Sequence, residues 1–145
     1  MLVDFYQLGG LSPDKVIAAI AGKVIEEDGR LLIVGEDEAA LARLDRLLWS
    51  EDSASFLPHG MAGGADDARQ RVLLSTSEDS PNGARNMLIA DGAWRDSALT
   101  YDRAFFLFGD GELEAARLAW KLLSGREGVE RRYWANDGGK WTHKA

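Results

Sequence analysis

Leu31-Leu32-Ile33-Val34-Gly35-Glu36-Asp37-Glu38 is the stretch that decides the fold. Four apolar residues in succession, with no polar alternation, predict a strand buried on both faces, as in a parallel sheet covered by helices. The three acids that follow predict a helix start, because carboxylates are favoured at the positive end of a helix dipole. Leu41, Leu44, Leu47 and Leu48 then recur at helical spacing and supply its buried stripe. Upstream, Val3, Phe5 and Gln7 alternate with Asp4, Tyr6 and Leu8 as a first strand, ended by Gly9-Gly10. Ser12-Pro13-Asp14 opens a helix, with Ser12 as the N-cap and Pro13 at the first helical position. Val16, Ile17, Ile20, Ala21, Val24 and Ile25 face the sheet, and Asp28-Gly29 closes the helix. Strand, helix, strand, helix at this spacing predicts βαβ units with right-handed crossovers.

Downstream, residues 60–69 are rich in Gly, Ala and Asp and read as a loop, and Arg71 to Leu74 reads as a third strand. Residues 75–85 form a polar turn region. Asn86 to Ile89 and Ala104 to Phe108 are further strands, and a last helix is predicted over 112–124. Arg131 to Trp134, the turn Asn136-Asp137-Gly138-Gly139 and Lys140-Trp141 predict a short hairpin or an extended tail. The whole, residues 1–145, is expected to be one α/β domain with a mainly parallel sheet, a length suited to a single core.

The bulk numbers narrow the function. No cysteine is present, so disulfides and thiolate metal sites are excluded. No basic leader or long apolar segment is visible, so the expected location is the cytoplasm, away from membranes. The net charge of −7 opposes nucleic acid as a direct ligand. It is unevenly spread. Residues 113–145 hold seven Lys/Arg against four Asp/Glu, a local +3, while the first 112 residues hold ten against twenty. A basic end on an acidic body fits an acidic partner, although terminal helices often collect such residues anyway.

Catalytic patterns fail one by one. No phosphate loop occurs, because Gly22-Lys23 continues into Val24 inside a helical stripe. Gly109-x-Gly111 lies between a strand and a helix, but the third glycine position of a dinucleotide fingerprint is Glu114, whose carboxylate would repel a pyrophosphate. His59 and His143 have no metal-ligand spacing to acids. No Gly-x-Ser-x-Gly elbow appears. Neither a catalytic residue, a metal nor a cofactor is called for. A small nucleotide-binding enzyme on this fold remains the alternative reading, and a binder of single strands through a Trp-rich basic end is a third.

The aromatics carry more information. Of five tryptophans, Trp120, Trp134 and Trp141 fall near the end of the chain. Trp120 sits among Leu113, Ala116 and Leu123 at helical spacing, edged by Arg117 and Lys121. An aromatic ring with two cations suits a peptide bearing an apolar side chain and carboxylates. A half-buried Trp with snorkelling neighbours accounts for the pattern equally well.

Four segments resemble the chi subunits of bacterial DNA polymerase III. They are Val3-Asp4-Phe5-Tyr6-Gln7-Leu8; Glu36-Asp37-Glu38 with Leu44-Asp45-x-x-Leu48-Trp49; Ser55-Phe56-Leu57-Pro58-His59-Gly60; and Trp120-Lys121 with Tyr133-Trp134 and Gly139-Lys140-Trp141. The resemblance implies a Rossmann-like fold without a phosphate loop and an accessory, non-catalytic role. Chi-like proteins link the clamp-loader assembly to single-stranded DNA-binding protein by gripping that protein's acidic, Phe-ending C-terminal tail. On that analogy Arg117, Trp120 and Lys121 form the tail pocket. Leu113 stands where some members carry another basic residue, with Arg126, Arg131 or Arg132 available to compensate. Trp49, Phe56, Pro58 and His59 correspond to a second surface, which docks the psi subunit or a helicase-like partner.

Overall fold

A computed structural model describes residues 1–50 and 59–145, apart from the side chains of 49 and 50. The described residues form an eight-stranded sheet of β1 (Leu2–Gln7), β2 (Leu31–Val34), β3 (His59–Met61), β4 (Val72–Ser75), β5 (Asn86–Ile89), β6 (Arg103–Phe108), β7 (Glu130–Asp137) and β8 (Lys140–His143). Its order is β3-β4-β2-β5-β6-β1-β7-β8. Only the β7–β8 pair is antiparallel. The helices are α1 (Pro13–Glu26), α2 (Glu38–Ser50) and α3 (Leu113–Leu123). The mixed α/β class and the mainly parallel sheet expected from sequence are present.

The unbroken apolar run of β2 has a direct cause. Leu31 and Ile33 enter one core with Leu74, Leu88, Phe105 and Leu107, beneath Ile17 and Ile20 of α1 and Leu41, Leu44 and Leu48 of α2. Leu32 and Val34 enter a second core with Phe5, Met87 and Phe106, beneath Ala116, Ala119 and Leu123 of α3. All four residues of β2 have zero exposure, so each face of the strand is apolar because each face is covered.

Local signals also hold. The Ser12 hydroxyl accepts the Asp14 amide hydrogen at 3.4 Å. Asp28 takes a left-handed φ of 66° where α1 ends. α2 begins at Glu38 rather than Glu36, with the Asp37 carboxylate accepting the Ala39 amide hydrogen at 3.0 Å. The stretch read as a loop over 60–69 is corrected. Its beginning belongs to β3, parallel to β4, and Asp67–Arg69 is a 3-10 turn. Three residues, His-Gly-Met, are too few to show a strand period. The basic end closes as the hairpin β7–β8, with both turn glycines at positive φ.

β1 lies between β6 and β7, and Asp4 is wholly buried at its centre. Arg103 on β6 and Arg132 on β7 both donate to it. Arg132 gives Nε at 2.7 Å and Nη2 at 3.0 Å; Arg103 gives Nη2 at 2.7 Å and Nε at 3.1 Å. The Trp134 indole adds a fifth bond at 3.0 Å. Burial alone would raise the Asp4 pKa, but the bonds from Arg132, Trp134 and Arg103 outweigh it and hold the carboxyl below its ordinary value. This carboxylate fastens three strands together on the face of the sheet opposite α3, since its neighbours Val3 and Phe5 on β1 enter the α3-side core.

Candidate protein-docking site

α3 is held to the sheet by Ala116, Ala119 and Leu123. Two alanines let the helix sit close to the aromatic floor, and the rest of its circumference stays outside the core. Trp120 lies at the edge of the buried strip. Its ring meets Phe5 edge-on at 5.2 Å and Tyr133 edge-on at 5.5 Å. The Arg131 guanidinium covers the ring at 4.0 Å and also donates to the Trp120 carbonyl. The ring is therefore half-buried and already engaged from β7.

Arg117 and Lys121 stand one turn apart, both exposed. Among the described residues neither is in an ion pair. Like charges at this spacing cost a helix roughly 0.2–0.5 kcal/mol. The field of Arg117 reaches the Tyr133 hydroxyl, opposing the rise in pKa that burial causes there. Beside the two cations runs a shallow groove of about 520 Å³, bordered by Glu114, Ala115, Arg117, Leu118 and Lys121. Leu118 is 60% exposed and Leu122 is 67% exposed.

The structure brings Arg117, Trp120 and Lys121 to one helix but on different arcs: the cations face solvent and the indole faces the sheet. Leu113 packs partly against the second core. Of the basic residues expected to compensate for it, Arg131 is stacked on Trp120 and Arg132 is bonded to Asp4, while Arg126 is exposed. Of the second expected surface, Phe56 and Pro58 lie outside the described residues, as does the Trp49 side chain. His59 is on β3 and buried, its Nε2 3.3 Å from the Asp45 carbonyl and 3.6 Å from Asp45 Oδ1. Sequence reasoning did not single out Asp4, the Arg131 stack, or the exposed Leu118 and Leu122.

The crevice in which open α/β sheets hold their ligands lies where neighbouring strands send their connections in opposite directions. Here that place is between β2 and β5, since β2 leads toward β3 at one edge and β5 toward β6. The protein's own Asp91 fills it. Asp91 accepts the Glu36 amide at 3.0 Å, the Ala93 amide at 3.2 Å, and a forked pair from Arg95 at 2.8 and 2.9 Å. Although burial would raise its pKa, these bonds hold the carboxyl below its ordinary value. A cavity of about 110 Å³ beside it is rimmed by Asp14 and Asp37 as well. At Gly109-x-Gly111, the Glu112 carboxylate turns back onto the Gly109 amide at 3.4 Å. The donors that would greet a phosphate are satisfied by internal carboxylates. No group of three or more acidic or histidine side chains among the described residues is placed to hold a metal.

A sequence profile of the family "DNA polymerase III chi subunit, HolC" matches residues 1–130. The chain belongs to the chi subunit family. Two curated relatives, each named DNA polymerase III subunit chi, agree. The protein of Escherichia coli (strain K12) is 32% identical over 82 residues, 56% of either chain. That of Pseudomonas aeruginosa is 32% identical over 90 residues, 60% of this chain and 61% of the relative. The matches thus span about three-fifths of those relatives. The family is an accessory subunit of the polymerase III complex in DNA replication. No helix of this chi-family chain, among the described residues, is long and apolar enough to cross a membrane.

Proposed function

We propose that this chi-family chain is a non-catalytic adaptor, which ties the polymerase III clamp-loader assembly to single-stranded DNA-binding protein by holding that protein's acidic, Phe-ending C-terminal tail on α3. One observation carries the reading: Arg117 and Lys121, solvent-facing and without ion-pair partners among the described residues, stand beside apolar side chains on a domain of net charge −7. Carboxylates of a ligand would relieve their mutual repulsion. Trp120 braces the cationic side of the helix through Phe5, Tyr133 and Arg131. The Rossmann-like sheet serves as a scaffold. Its ligand crevice is occupied by Asp91 and its glycine turn by Glu112, which supports binding over nucleotide chemistry.

The second surface, with Trp49, Phe56, Pro58 and His59, is assigned to the psi subunit or a helicase-like partner. In this assignment buried His59 acts from beneath by fixing the start of β3. The test is gel filtration of the full chain with intact single-stranded DNA-binding protein and with a version lacking its last ten or so residues. Co-elution with the intact protein alone supports the reading. Equal co-elution with both refutes it.

A further inference from the structure

On the face of the sheet opposite α3, a small cavity opens between the first turns of α1 and α2. Its volume is about 110 Å³. Small-molecule and cofactor pockets run to about 300–1,000 Å³, so this one has room for a single side chain and not for a nucleotide. Its lining changes character with depth. Ile17, Leu41 and Leu44 are buried, whereas Asp37, Arg43 and Asp91 are exposed and Asp14 is half-buried. An apolar floor is thus ringed by three carboxylates and one guanidinium. Asp91 is balanced by the forked pair from Arg95. Among the described residues no cation pairs with Asp14 or Asp37, and Arg43, on the same rim, bridges to neither.

We propose that this cavity takes a lysine side chain from a basic segment of a partner protein, its aliphatic stem on Ile17, Leu41 and Leu44 and its ammonium between Asp14 and Asp37. Lysine suits both halves, because its methylene stem buries on apolar surface while its charge stays at the edge of the water. Other occupants fail on charge. An anion would meet three carboxylates, and the amides that would favour it are already taken: Asp37 accepts that of Ala39, and Asp91 accepts those of Glu36 and Ala93. A neutral aliphatic side chain would fill the floor but strip water from the rim carboxylates without a counter-charge. The surroundings favour a basic segment over a lone amine. The first 112 residues, which contain the cavity, hold ten Lys/Arg against twenty Asp/Glu, and Glu36 and Glu38, flanking Asp37 in sequence, are exposed. Further cations on the partner gain from that field, which also steers its approach. Because Arg117 and Lys121 lie on the other side of the sheet, the site stands independently of the tail-binding reading.

The experiment is an amide NMR titration of the full chain with three probes: a short glycine-rich peptide carrying two lysines, the same peptide with norleucine for both lysines, and putrescine. The lysine peptide is expected to shift the Gly35, Ala40 and Ala90 amides saturably. The norleucine peptide, which lacks the ammonium, should bind about fivefold more weakly, corresponding to about 1 kcal/mol. Asp14→Asn should weaken the lysine peptide about twofold and Arg43→Ala strengthen it about twofold, the effect of one exposed charge pair in each case. Ala40→Leu narrows the cavity with a good helix former, so the native spectrum persists elsewhere while the shifts at Gly35 and Ala90 disappear. Its affinity for the acidic peptide at α3 should be unchanged, which separates the two sites. Wild-type protein without saturable shifts at these amides overturns the site. So does a norleucine peptide that binds as tightly as the lysine peptide, or an Ala40→Leu protein that keeps the shifts. Putrescine that binds more tightly than the lysine peptide overturns the assignment to a partner protein.

Discussion

Replacing Asp4 by Asn removes the charge that holds β6, β1 and β7 together while keeping the side chain's shape. The carboxylate receives five hydrogen bonds, four from guanidinium groups. In the variant at most one side-chain atom still accepts, and the new amide nitrogen points donors at donors. Removing one partner of a buried ion pair costs about 3–5 kcal/mol. Arg103 and Arg132 are 27% and 34% exposed, so water recovers part of their hydration and the lower end, about 3 kcal/mol, applies. For a chain of this length that corresponds to a fall in Tm of about 6–12 °C. Urea unfolding should show the loss as a lower midpoint at unchanged m-value. Because β7 backs Trp120 through Tyr133 and Arg131, peptide binding at α3 should weaken in parallel. A loss below about 1 kcal/mol would refute the idea that Asp4 clamps the strands.

Three further outcomes follow from the same contacts. Asp4 and Asp91 both titrate below their ordinary range. Their contribution is complete above the unfolded value of about 3.9 and is lost as the pH falls through the lower folded values. Urea midpoints should hold from pH 7 to 5 and drop by pH 3, and the Asp4→Asn protein should drop less; an equal drop in both excludes Asp4 as a contributor. Gly92 has φ +73°, and a Cβ there would collide with the Glu112 carboxylate, so Gly92→Ala should cost more than about 1 kcal/mol. A neutral result in thermal unfolding would mean that the Glu112 turn is loose. Trp120→Ala should cost about 3–5 kcal/mol through its contacts with Phe5 and Tyr133, so the loss of tail binding expected for that substitution has to be read beside its melting curve. An unchanged Tm would show that the indole is free to serve a ligand.

Much of the architecture was legible because its causes are local. The β2 run reports burial on two faces, and Ser12-Pro13-Asp14 and Asn136 to Gly139 fix a helix start and a hairpin through their own backbone chemistry. What was hidden depends on distant neighbours. In sequence Asp4 occupies an alternating polar position; only the pairing of β1 with β6 and β7 surrounds it with Arg103 and Arg132. β3 is three residues long and exists by pairing with β4. At the site, Arg117, Trp120 and Lys121 were visible as a helical cluster. Yet whether the indole faced a ligand or the core was undecidable until Arg131, eleven residues further on, was seen stacked upon it. Of the leucines of α3, the helical spacing grouped Leu113 and Leu123 with Ala116 and left Leu118 and Leu122 unassigned. Which of them faced outward was set by how α3 lies on the sheet, with Ala116 and Ala119 inward.

The most direct test of the adaptor reading is the affinity of the full chain for the acidic, Phe-ended peptide at two salt concentrations, compared with an Arg117→Ala/Lys121→Ala protein whose exposed substitutions leave the core untouched. The account predicts micromolar binding that weakens as salt rises and a loss of at least about tenfold in the variant, with a flatter salt dependence. Binding by the variant that matches wild type at both salt concentrations would contradict the claim that α3 carries the site.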